Sequence, residues 1–247
     1  MKNDFDPRRM PRPSFSGLPA FERRVGQGEA ELLSEAEQEA LLTISRLISV
    51  PARASLFVEG DEARFLYNIV SGVVETYCLS PSGDKRATAF LFARDLAGLG
   101  ENGLYAGSAE CLTEVTAFQI PVAKLDVLLA CNPRLDAGLV SKLCHEWRKA
   151  QRHALTLGKR EAVPRVASFL LWMRTVDYAR QENLAHGQDE VVLPMSRHDI
   201  ADYLGLTIES VSRSLHALQA QGLIQRKGPR RILLHDTDGL RALADAA

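Results

Sequence analysis

The stretch SRHDIADYLGLTIESVSRSLHALQAQ, residues 196–221, decides how the rest of the chain is read. Ser196 is a good N-cap, and Asp199 sits three residues on, where a capping-box acid helps. Ile200, Ala201 and Leu204 give a short first helix one apolar face. Gly205 accepts the left-handed backbone of a tight inter-helix turn. Thr207 caps a second helix, on which Ile208, Val211, Leu215 and Leu218 recur at helical spacing and predict an inward stripe. Glu209, Ser210, Ser212, Arg213 and His216 are left outward. The pattern is a helix-turn-helix, whose second helix lays its N-terminal turns in the major groove of DNA.

The outward residue types suit that task. Arg213 can bond guanine O6 and N7 together, Glu209 can accept from cytosine N4, and Ser212 can bond either way or lie on a thymine methyl. These three predict base readout. Residues 222–234 follow as two short β-type runs around a basic turn, which reads as a wing. Arg226, Lys227, Arg230 and Arg231 are the expected phosphate contacts there, joined by Arg197, Thr207, Ser210 and His216 from the helices. Between 196 and 235 six Lys and Arg oppose three acids, a net +3. The whole chain carries −1, so the remainder is about −4.

Upstream, residues 122–160 return to a helical period. Val140, Leu143, Trp147, Ala150, Ala154 and Leu157 repeat at steps of three and four, the spacing of a coiled-coil seam, and predict a homodimer. Gly158 and Pro164 bracket a break near residue 160, after which a new helix begins. From 51 to 121, short β-type runs (54–59, 65–70, 73–78, 86–92 and 113–121) alternate with turn signals and predict a sandwich or barrel. Residues 31–49 have helical spacing, with Ser34 and Glu37 as a capping box. Residues 1–30 hold Pro7, Pro11, Pro13 and Pro19 and read as a loose, solvated arm.

The 247 residues, 46% of them apolar, suffice for one or two globular domains. No run approaches the roughly 20 apolar residues of a membrane span, and no apolar signal region opens the chain. Cys78, Cys111, Cys131 and Cys144 form no close pair, which fits reduced thiols in a cytoplasm.

A β-roll, a long helix and a winged helix-turn-helix in that order resemble the CRP/FNR family of bacterial transcription regulators, over roughly residues 35–236. The segment 193–213 is most similar to the FixK-like branch, with Glu209, Ser212 and Arg213 in its recognition pattern. The resemblance implies an α+β fold: an N-terminal cyclic-nucleotide-binding-type β-roll, a dimerisation helix and a C-terminal winged helix-turn-helix. The expected division is an arm over 1–30, the β-roll over 31–122, the dimerisation helix over 123–160 and the DNA-binding domain over 161–247. It further implies an activator that binds a TTGAT–N4–ATCAA palindrome, works with RNA polymerase, and controls low-oxygen respiration, nitrogen oxide metabolism or nitrogen fixation.

The departures from the family are informative. Residues 1–77 contain no cysteine, so four thiolates at iron–sulfur spacing are absent. Where family members that bind cyclic AMP carry a Gly-Glu pair, Leu99 follows Gly98, and no Arg-Ser follows in 107–111. A regulator without a cofactor is therefore expected. The alternative is gating by a ligand or haem in the β-roll, with Cys78, Cys111, His145 and His153 as candidate ligands, or by oxidation of Cys131 or Cys144. A metal-dependent barrel enzyme needs two or three histidines in the barrel, and the first histidine is His145, beyond it. No catalytic or metal-binding residues are expected, and a pure adaptor would not need Glu209, Ser212 and Arg213 on one exposed face.

Overall fold

The computed structural model describes residues 11–17, 30–176, 178, 187 and 189–246. Its N-terminal part is a roll of two antiparallel sheets. The chain runs β1 (Ser16–Gly17), β2 (Ala30–Glu31), α1 (Glu35–Ile44), β3 (Arg46–Val50), β4 (Ser55–Phe57), β5 (Phe65–Ser71), β6 (Val74–Leu79) and β7 (Lys85–Leu91). It continues through β8 (Leu96–Ala97), β9 (Gly100–Glu101), β10 (Leu104–Tyr105), β11 (Ser108–Cys111) and β12 (Val115–Pro121). One sheet is ordered β4-β11-β6-β7 and the other β3-β12-β5-β8. Ile69, Val74, Ala109, Val115 and Ala117 are fully buried between them, as alternation on half-buried strands requires.

The helical reading of 31–49 holds only in part. Ser34 does open α1, its amide donating to Glu37 Oε2 at 2.7 Å, but the helix stops at Ile44. Leu47 and Ile48 belong to β3, paired with Phe118 and Ala117 of β12. The arm is also corrected where it is described. Phe15 is buried in a core with Leu33, Leu41, Phe118 and Leu135. Its amide donates to Glu31 Oε1, and the Ser14 amide donates to the buried Asn68 side chain. A buried aromatic ring outweighs the local disorder that the prolines suggest. The rest of 1–30 lies outside the described residues.

Two helices replace the expected single one: α2 (Val122–Cys131) and α3 (Pro133–Leu157). Asn132 breaks the run, accepting from the Leu135 amide to cap α3, with Pro133 in the first turn where its missing N–H costs nothing. One face of α3 (Leu135, Gly138, Lys142, His145) is buried on the roll. The Lys142 ammonium, wholly buried, donates to Asp95 Oδ1 at 2.8 Å, to the Ser16 carbonyl at 3.0 Å and to Glu146 Oε1 at 2.7 Å. Lys149 adds contacts to Asp95 and Glu146 at 3.1–3.2 Å. Burial alone would raise the Asp95 pKa, but Lys149 and Lys142 override it and hold the carboxyl well below its ordinary range.

The C-terminal part comprises α4 (Ala162–Val176), β13 (Glu190–Val192), α5 (Arg197–Leu204), α6 (Ile208–Ala220), β14 (Ile224–Arg226), β15 (Arg231–Leu234) and α7 (Thr237–Asp245). It docks on the outside of the roll. Phe90 of β7 meets Tyr203 at 4.8 Å and Phe169 at 6.4 Å between ring centroids, and Phe92 meets Trp172 at 5.9 Å. Arg53 reaches Asp199 at 3.8 Å across the same boundary. A single buried cluster therefore spans outward residues of the roll and the core of the C-terminal part. Among the described residues no helix is long and apolar enough to cross a membrane.

Candidate nucleic-acid interface

The predicted caps form. Ser196 Oγ accepts from the Asp199 amide, and Asp199 Oδ2 accepts from the Ser196 amide at 2.7 Å. Gly205 sits at φ +60° and ends α5, a conformation that costs glycine little. Thr207 Oγ1 accepts from the Ser210 amide and opens α6. Ile200, Ala201, Leu204, Val211, Leu215 and Leu218 are buried as expected. Ile208 is not: it is 41% exposed, because the first residue of α6 precedes the turn that packs against α5.

Glu209, Arg213 and His216 are exposed on α6, and Ser212 is half-buried. The Arg213 guanidinium donates to Ser210 Oγ at 3.3 Å. Glu209 is held below the usual carboxylate range, first by its own backbone amide, then by the Thr207 hydroxyl, with Arg213 adding to both. The acidic and basic readers thus share the first turns of one capped helix.

The wing is the hairpin β14–β15, with Ile224 opposite Leu234 and Arg226 opposite Ile232. Sequence reasoning missed β13, which pairs with β15 on the other side and makes the sheet three-stranded. Its residues follow a polar stretch that masks a three-residue strand. The basic residues expected on phosphates divide into two sets. Arg231 Nε donates to Glu190 Oε1 of β13 at 2.6 Å, Arg226 Nε to Gln219 Oε1 at 2.9 Å, and Arg197 Nη2 to the Pro229 carbonyl at 3.1 Å. Arg226 and Arg197 tie the wing to α6 and α5, and Arg231 ties it to β13. Lys227 and Arg230 lie at the turn, where neither side chain makes a hydrogen bond or ion pair among the described residues.

The face of α3 away from the roll carries the predicted stripe. Trp147 is 67% exposed, Val140 38% and Leu157 37%; Ala150 and Ala154 are exposed, and Leu143 is half-buried. The alternative ligands are dispersed. Cys78 is half-buried on β6, Cys111 is buried with its thiol pushed up to about 11 by burial, His145 is buried on α3, and His153 stacks on Tyr203 at 3.9 Å. Cys131 is exposed and Cys144 half-buried. Among the described residues no three His, Cys, Asp or Glu side chains gather as a metal site.

Around Glu110, in the segment compared above with cyclic AMP binders, the neighbouring cations are already paired. A phosphate there needs an uncommitted cation. Glu110 faces Arg53 at 3.2 Å and Lys85 at 3.4 Å, and Lys85 also holds the buried Glu75 at 2.5 Å.

Comparison with known proteins agrees with this architecture. Residues 164–243 match the Crp-like helix-turn-helix domain, and residues 47–132 match the cyclic nucleotide-binding domain. The nitrogen fixation regulation protein FixK of Azorhizobium caulinodans is 38% identical, over 77% of this chain and 75% of that one. Its namesake from Bradyrhizobium diazoefficiens is 34% identical, over 78% and 79%. The solved structure of FixK2 from Bradyrhizobium japonicum is 32% identical with a TM-score of 0.73, over 83% of this chain and 99% of that one.

A β-roll joined through a long helix to a winged helix-turn-helix defines a DNA-binding transcription regulator. The chain belongs to the CRP/FNR family, on its FixK-like branch.

Proposed function

We propose that the chain acts as a homodimer on a TTGAT–N4–ATCAA-type palindrome and activates transcription through RNA polymerase in the cytoplasm. Its task is binding rather than catalysis. The observation that carries this reading is the capped recognition helix α6, with Glu209, Ser212 and Arg213 on its accessible first turns. The bare stripe of α3 supplies the second copy. Two recognition helices set about 34–36 Å apart match half-sites one DNA turn apart. The FixK relatives are named for nitrogen fixation regulation, and a further relative for fumarate and nitrate reduction; control of low-oxygen or nitrogen-related genes follows by that kinship.

The test is fluorescence anisotropy with the palindrome against a scrambled duplex, in air, beside an absorbance spectrum of the same sample. Selective binding by colourless protein is the expected result; equal affinity for both duplexes would defeat the reading. Arg213→Ala should cost about 1–3 kcal/mol per half-site and relax preference at one base pair. If it weakens specific and scrambled DNA equally, Arg213 does not read bases.

Arg230→Ala separates positioning from readout. It should weaken both duplexes and lower the slope of log affinity against log salt by roughly 0.9 for each phosphate no longer neutralised. An unchanged slope would remove the wing turn from the phosphates. Arg231→Ala should instead act by loosening the wing, since its guanidinium is already committed to Glu190.

A further inference from the structure

A cavity of about 390 Å³ lies where the roll, α3 and the winged domain meet, away from the recognition helix. Its wall is strongly aromatic: Phe90 from β7, His153 from α3, Phe169 and Trp172 from α4, and Tyr203 from α5. The Trp172 and Tyr203 rings lie 5.7 Å apart and 25° from parallel, and Phe169 meets Trp172 at 5.8 Å. A space of this size with an apolar wall and few polar groups is what small-molecule sites are made of.

Polar groups at the wall are unused. Tyr203 is only 8% exposed, yet its hydroxyl has no hydrogen-bond partner among the described residues. The ring is buried while the hydroxyl stays accessible from the cavity, so a ligand there can accept from it. The His153 imidazole, stacked on the same ring, also has no polar partner among them. Arg152, one residue earlier on α3, lines the cavity with no acidic partner among the described residues. The other charges there are mostly taken: Glu146 holds Lys142 and Lys149, and Lys159 donates to the Ala244 carbonyl. Asp245, also on the lining, forms no ion pair among the described residues.

We propose that this junction cavity binds a small planar aromatic acid, its ring among Trp172, Phe169 and Tyr203 and its carboxylate on Arg152 and the Tyr203 hydroxyl. Phe90 moves with the roll, His153 and Arg152 with α3, and the other three with the winged domain. An occupant touching all three fixes the angle at which α6 is presented, so the site is an effector site. Ala150 lines the cavity and also lies on the stripe proposed as a dimer seam, so a partner helix passes its mouth. The effector role rests on the DNA-binding function proposed above; the binding does not.

The experiment uses the full chain and 2-naphthoate as probe, titrated by calorimetry without DNA. Saturable binding of one molecule per chain is expected. Tyr203→Phe keeps the ring and Arg152→Gln keeps the stem, so both should fold, and each should weaken binding about tenfold, the loss of one charge-assisted hydrogen bond. Cyclohexanecarboxylate, equally charged but not planar, should bind at least as poorly as the variants bind 2-naphthoate. No saturable binding, or equal binding by wild type and both variants, would overturn the site. The titration is then repeated while following anisotropy of the palindrome. A shift in DNA affinity in wild type that Tyr203→Phe lacks supports the effector role. Binding of 2-naphthoate with no such shift overturns that role, whereas failure to bind the palindrome even without probe strikes at the DNA reading instead.

Discussion

Replacing Asp95 with alanine is expected to lower the unfolding free energy by about 3–5 kcal/mol, the cost of leaving a buried charge without its partner. Lys142 is fully buried and Lys149 largely so, and Asp95 is the residue that binds both from the roll. Glu146 would remain, but it must then serve two ammonium groups alone. A typical domain has about 5–15 kcal/mol to lose, so urea unfolding should show a large fall in midpoint. Adding Lys142→Met should restore part of the loss, because an apolar side chain of similar length needs no counter-charge. An unchanged midpoint in Asp95→Ala would mean that water reaches the cluster. The pH dependence has a definite sign. The Asp95 pKa is depressed in the fold, so its contribution is present above the ordinary value near 3.8 and is lost as pH falls through the lower folded value.

Leu143→Asp should yield monomers in sedimentation and drop palindrome affinity toward that for random DNA, a loss on the order of 10³-fold or more. A carboxylate in each copy would have to enter a dry helix–helix seam or keep it apart. Leu143 is half-buried within one chain, so Trp147→Glu, at a side chain 67% exposed, is the companion that leaves the single chain undisturbed. An intact dimer in both variants would place the seam elsewhere.

Much of the site was legible in the sequence because its signals are local. The caps at Ser196 and Thr207, the turn at Gly205 and the stripe from Val211 to Leu218 each lie within a few residues of their partners. The wing hairpin was legible for the same reason. What escaped depends on distant partners. Leu47 and Ile48 fit a helix by spacing, and only β12, some 70 residues on, makes them a strand. Pro133 fits the first turn of a helix as well as a break, so the long period ran through Asn132 unnoticed. Nothing near Arg231 or Arg226 indicates that Glu190 and Gln219 occupy them. Lys142 did carry a signal: it falls on the same helical face as Leu135 and Gly138, where a lysine needs a buried acid.

The docking of the winged domain on β7 also shields an edge of the roll. Among the described residues β7 ends its sheet, so its outer backbone amides and carbonyls have no strand beyond them there. Beside that open edge, Ala87, Phe90 and Phe92 are buried in a cluster made mostly of winged-domain residues. An unpaired edge next to an apolar patch is a template for strand addition and aggregation. The DNA-reading half is thus also the guard of the roll, and a chain shortened at residue 160 would lose its protection together with its reader.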